Sequence, residues 1–222
     1  VLWKGDMVEV SKMARDFNFE DIRYVLLRTK VCVQALSHYQ LDETKFVLEA
    51  GCGSGKFGIS MALEVGANVT LLDIDQGYLD NVMKLAKAVE AITALRLHIS
   101  ILQGDILALK FKDNTFDLVF NEGVVEHYPR EDPRRLRCIE EMARVSRDCV
   151  IIITNDADGE RTKKRAEETK HTYESMPEKE TPYTYEELLE MMKKVGLLDV
   201  TVERYTDEGT QEYLIASGRK PK

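Results

Sequence analysis

Apolar positions recur along the chain with two periods. Over residues 17–39 they fall at helical spacing (Phe19, Ile22, Leu26, Val33, Leu36), which predicts a helix. Phe46-Val47-Leu48-Glu49-Ala50 is a short, nearly continuous apolar run that ends in glycines, the pattern of a buried strand. Residues 56–65 predict a helix stopped by Gly66. Further strands are predicted over 68–74, 100–103, 115–121 and 149–154, alternating with helices over 78–95 and 133–146. Strands that are apolar throughout and separated by helices imply a parallel sheet covered on both faces and wound by right-handed crossovers.

The alternation stops at residues 156–180, a densely charged stretch with Ala166, Tyr173 and Met176 as its few apolar anchors. A connection of that length reads either as a solvated face or as a substrate lid after the fifth strand. A helix follows over 184–195, with Thr184, Glu186 and Glu187 suited to its N-terminus and Gly196 to its end. Two strand-like segments, 198–205 and 212–217, are joined by a hairpin turn over 206–210. The expected layout is one domain over 1–222: a helical arm (1–43), a ligand-binding core (44–155), a lid or insertion (156–182), and a C-terminal helix and hairpin (183–222).

Composition narrows the function classes. Hydrophobic residues are 44% of the 222 and charged residues 32%, enough for a sizeable core. The formal net charge of −8 argues against a broad nucleic-acid or anionic-membrane footprint. No apolar run reaches membrane-spanning length, and Val1 to Asp6 lack the basic start of a secretory leader and an initiator Met. Cys32, Cys52, Cys138 and Cys149 form no C-x-x-C pair, so free thiols, a cytoplasmic setting and no metal site are expected. Arg130, Arg134, Arg135 and Arg137 are interleaved with Glu131 and Asp132 and read as a solvated helix face.

The candidate chemistry gathers at the ends of the predicted strands. Glu49-Ala50-Gly51-Cys52-Gly53-Ser54-Gly55 joins a strand to a helix, where glycines let the chain turn sharply and let a ligand lie against the backbone. Asp73 ends the next strand, 22 residues after Gly51, where a carboxylate can accept both hydroxyls of a ribose. Asp75 suits the cap of the following helix. Asp105 ends the third strand, where a carboxylate can accept from an exocyclic amine. A dinucleotide would call for a third glycine where Lys56 stands, and Glu49 is poor company for a pyrophosphate. Glu49 suits a cationic ligand part, an ammonium or a sulfonium. A nucleoside joined to an amino acid satisfies all three carboxylates.

In these segments the chain resembles the class I S-adenosylmethionine-dependent methyltransferases of the small-molecule type. The resemblance rests on VLEAGCGSGKFG (47–58), VTLLDID (69–75), LQGDIL (102–107) and FDLVFNEGVVEHY (116–128), in order, and extends over about residues 44–221. It implies an α/β fold, doubly wound, with a mostly parallel seven-stranded sheet, helices on both faces and an antiparallel terminal strand. It implies S-adenosyl-L-methionine as cofactor and direct displacement of its methyl by an acceptor, expected to be a small molecule. By the resemblance, Gly51, Gly53 and Gly55 pack against the methionine part, with Cys52 between them and Glu49 near the ammonium. Asp73 holds the ribose, Asp105 the adenine amine, Ile74 and Ile106 sandwich the ring, and Asn121 contacts the ammonium. Glu122 and His127 are the candidate catalytic groups, with Glu126 and Tyr128 beside them. The His127 ring serves either as a base or as a structural group, since many such enzymes work by alignment alone. A non-catalytic cofactor-binding subunit is the alternative, and a nicotinamide-dependent oxidoreductase the third reading.

Overall fold

The computed structural model describes residues 25, 39, 41–160, 162–164, 181–206 and 212–221. The expected N-terminal helix (apart from Val25 and Tyr39), most of the 156–182 segment and the 206–210 turn lie outside the described residues. Seven strands form one mixed sheet. The chain divides into two compact units, Val1–Asp105 and Ile106–Lys222.

The first unit holds β1 (Phe46–Ala50), α1 (Lys56–Val65), β2 (Asn68–Asp73), α2 (Gln76–Thr93) and β3 (Ile99–Gln103). β1 and β2 pair in parallel, as do β2 and β3. Val47, Leu48, Val69 and Leu71 are fully buried with Ile59, Val82 and Val89 of the two helices. Each such side chain contributes roughly 1.5–3 kcal/mol by leaving water. Both helices end as their residues dictate. Gly66 closes α1 with φ +68° and returns its N–H to the Ala62 carbonyl. Asp75 caps α2 by accepting from the N–H groups of Gly77 and Tyr78.

The second unit holds a 3-10 turn (Ile106–Ala108), β4 (Phe116–Glu122), a second 3-10 turn (Val125–His127), α3 (Pro133–Val145), β5 (Ser146–Asn155), α4 (Tyr185–Lys194), β6 (Leu198–Thr206) and β7 (Glu212–Arg219). β4 and β5 are parallel, whereas β7 runs antiparallel to both β5 and β6. Asp132 caps α3 and precedes Pro133 at its first position. Thr184 and Glu187 form a complete capping box on α4.

Two expectations need correction. Cover on both faces of the strands between helices fails at β3, an end of the sheet, where most positions are open to solvent. An apolar run does not distinguish an edge strand from a central one. Arg135 is not on a solvated face. It is 1% exposed, on the same stripe of α3 as Cys138, Ile139 and Met142.

Candidate functional site

In the first unit, the loop after β1 is built from backbone that only glycine adopts easily. Gly51, Gly53 and Gly55 all have positive φ, at 80°, 48° and 66°. The loop is tied to β2: the N–H groups of Gly51 and Cys52 both donate to the Leu72 carbonyl, at 2.7 and 2.9 Å. Asp73 holds it from the side. One carboxylate oxygen accepts from Gly53 N–H at 2.7 Å and the other from Asp75 N–H at 2.9 Å. The Asp73 carbonyl accepts from Gly104 N–H, which brings in the end of β3. The three strand ends are thus fixed to one another through one residue.

Glu49 is 2% exposed, and its carboxylate accepts from Gly58 N–H in the first turn of α1 at 2.9 Å. A side chain on Gly58 would collide with Leu71 and come within 2.5 Å of Glu49 Oε2. Gly58 is therefore a close-approach position that the sequence reading quoted without assigning it a role. Gly53 is the opposite case: nothing lies within 4 Å of where its Cβ would be. The loop offers open room there, over a carboxylate-braced backbone. Cys52 lies buried between the glycines, and burial, with Glu49 and Asp73 nearby, pushes its thiol well above the usual range. It is a packed thiol and not a nucleophile. Ile74 is 66% exposed, an apolar surface next to Asp73. Asp105 ends this unit half-buried.

In the second unit, Ile106 is buried in its 3-10 turn. Asn121 is wholly buried near the end of β4, and its amide donates to Met142 Sδ at 3.4 Å. Its side chain faces α3, so toward the strand's open end it presents only backbone. Glu122 is half-buried and His127 exposed, in the 3-10 turn that follows. Between them, Glu126 is 1% exposed. Burial pushes its carboxyl up to about 7, and the Glu122 charge adds to this; its own backbone, Thr154 and Asn155 oppose it.

Glu126 lies in a buried polar cluster that sequence reasoning missed. Its Oε2, Thr154 Oγ1 and the Tyr183 hydroxyl are all buried without a partner in hydrogen-bond geometry, as is Asn121 Oδ1 on β4. Arg135 is the satisfied member. Its Nε donates to the Tyr128 carbonyl at 2.8 Å, its Nη2 donates to the Thr181 carbonyl, and its guanidinium lies 4.2 Å from the Tyr183 ring centroid. The signal for Arg135 was present in the sequence: it is i, i+3, i+4 and i+7 with Cys138, Ile139 and Met142. No group of three His, Cys, Asp or Glu able to hold a metal occurs among the described residues. No described helix is long and apolar enough to cross a membrane.

Parts of this chain are similar to known proteins. Residues 47–148 match the model of a family described as methyltransferase domain. Over 99 residues (45% of this chain) it is 32% identical to a probable tRNA methyltransferase 9B of Mus musculus, covering 19% of that protein. Over 133 residues (56% of this chain) it is 25% identical to a demethylmenaquinone methyltransferase of Shouchella clausii, covering 54% of that protein. The chain spans about half or less of the curated relatives it matches. Magnesium protoporphyrin IX methyltransferase of Synechocystis, solved with bound SAH, shares the fold at a TM-score of 0.66 and 18% identity, over 92% of this chain and 89% of that one. The matched residues, 47–148, carry the glycine loop, its bracing carboxylates and the turn after β4.

Proposed function

We propose that the protein is an S-adenosylmethionine-dependent methyltransferase acting on a small-molecule acceptor. The observation that carries this reading is the loop 51–55: three left-handed glycines, open space over Gly53, and Asp73 holding the Gly53 amide. That cradle fits the cofactor. Gly51, Cys52, Gly53 and Gly55 would lie along its amino-acid part, with Glu49 setting the loop behind them. Asp73 would take the ribose hydroxyls, Asp105 the adenine amine, and the exposed Ile74 would cover one face of the ring, with Ile106 on the other. Asn121 would offer its backbone near the ammonium. When bound, the cofactor supplies a methyl on a sulfonium, open to direct displacement by an acceptor's lone pair.

The chain's own residues need only bind, orient and exclude water. Asp73 keeps the loop in its binding shape through Gly53. His127, exposed in the turn after β4, would take a proton from an acceptor that must lose one; Glu122 is the other candidate. The net charge of −8 and the relatives named for demethylmenaquinone and magnesium protoporphyrin support a small acceptor. The relative named for tRNA supports the contrary reading, so tRNA belongs in the test.

The test is transfer of labelled methyl from S-adenosylmethionine to a panel of quinols, phenols, amines, carboxylates and bulk tRNA. Transfer to a small molecule, reduced at least tenfold in His127→Ala, supports the reading. Transfer to tRNA alone overturns the acceptor class. Cofactor binding with no transfer to any class would mark a non-catalytic binding subunit.

A further inference from the structure

We infer that Glu126 is a positioning residue that pins the stretch 181–184 against the end of β4, and that the pin holds only while its carboxyl carries a proton. The inference rests on the proposed methyltransferase reading for what the pinned stretch would do, which is to border the acceptor. The pin itself is read from packing alone.

The stretch returns to the body of the second unit at Thr181, whose N–H donates to the backbone carbonyl of Glu126 at 2.7 Å. Its own carbonyl accepts from Arg135. Pro182 accepts from Arg130 at 3.4 Å, and the Tyr183 carbonyl from Ala157 N–H at 2.9 Å. The Tyr183 ring is fully buried under the Arg135 guanidinium. One residue later the chain enters the capping box of α4. Glu126 thus holds this strap, residues 181–184, by its main-chain carbonyl, with its carboxyl within electrostatic reach of Tyr183.

The groups facing that side chain cannot receive a charge. From β4, the Glu122 carboxylate repels it. From β5, Thr154 and Asn155 offer only neutral dipoles. From the strap comes the Tyr183 phenol, itself held protonated by burial, with Arg135, Cys138 and Glu187 acting on it. Arg135 is directed at two carbonyls and a ring, and none of its hydrogen bonds goes to Glu126. An ionised Glu126 would be a buried charge with no counter-ion, and it regains water only if the strap lifts. A protonated one is neutral and supplies an O–H to the otherwise orphaned Thr154 or Tyr183 oxygens. Seating of residues 181–184 is therefore coupled to proton uptake.

Hydrogen exchange on the full chain without ligand tests this. Protection of the amides of Thr181, Tyr183 and Thr184 is measured from pH 5 to 8.5, corrected for intrinsic rate and referenced to the β5 core. The wild type is expected to open about tenfold more per pH unit up to about 7 and then to level off. Glu126→Gln, neutral at every pH, is expected to give a flat profile. A flat wild-type profile, or the same slope in Glu126→Gln, overturns the pin. If the variant fails to fold, carboxyl-carbon NMR of the wild type decides: titration of Glu126 near 7 supports it, and titration in the ordinary carboxylate range overturns it. Neither measurement uses the cofactor, so failure here is separate from failure of the methyltransferase reading.

Discussion

The glycine loop of the first unit and the buried cluster of the second treat their polar groups in opposite ways. In the loop, each named carboxylate has a backbone donor: Glu49 takes Gly58, and Asp73 takes Gly53 and Asp75. The loop's shape is thereby set before any ligand arrives, which lowers the ordering cost of binding. In the cluster, the side-chain oxygens of Glu126 (Oε2), Thr154 and Tyr183 are buried with no partner in good geometry. Each such group costs about 1–3 kcal/mol. The comparison separates a site that is preformed from one whose state is set by protonation, with Arg135 holding the second together.

That difference can be broken most forcefully at Arg135. Arg135→Ala leaves the Tyr128 and Thr181 carbonyls without their donor and removes the stack on Tyr183. A loss of about 4 kcal/mol is expected in denaturant unfolding. Arg135→Lys should recover less than half of it, since one ammonium cannot serve both carbonyls and the ring.

Next is Glu126→Gln, compared with wild type by unfolding across pH. The folded-state pKa of about 7 lies above the ordinary 4.5, so the folded state holds the proton more tightly. That stabilisation is complete below about pH 4.5, declines as pH rises toward 7 and is absent above it. Relative to acid conditions, wild type should lose about 3 kcal/mol more than the variant by pH 8. Equal slopes would remove the contrast with the loop.

A smaller effect sharpens the loop side. Gly58→Ala forces a methyl against Leu71 and Glu49 and should cost about 2 kcal/mol, read by thermal unfolding. The smallest is Thr184→Ala, which removes the α4 capping box for about 1 kcal/mol and should loosen 181–184 at every pH without changing its pH slope.

Much of this was readable from residue order. The strand-to-glycine transition at Ala50, the stop at Gly66, the cap at Asp75 and the N-terminus near Thr184 each follow from a local rule, and each stands within a residue or two of its expected place. What failed was nonlocal. Arg135 was grouped with its charged neighbours, although its helical stripe is that of Cys138 and Met142. Burial of Glu126 beside exposed His127 depends on a three-residue 3-10 turn, too short to carry a period. The exposure of β3 is a property of its place in the sheet, which an apolar run does not encode. Gly58 is required by Leu71, thirteen positions away on the neighbouring strand.

The central claim is that the braced loop is a cofactor cradle. Calorimetric titration of S-adenosylmethionine and S-adenosylhomocysteine into wild type, Asp73→Ala and Asp75→Ala tests it most directly, with NADH as the contrasting ligand. The account predicts binding of both to wild type, at least a hundredfold weaker in Asp73→Ala and within about threefold in Asp75→Ala, whose side chain only caps α2. No binding at millimolar ligand, or NADH binding in place of the other two, would contradict it.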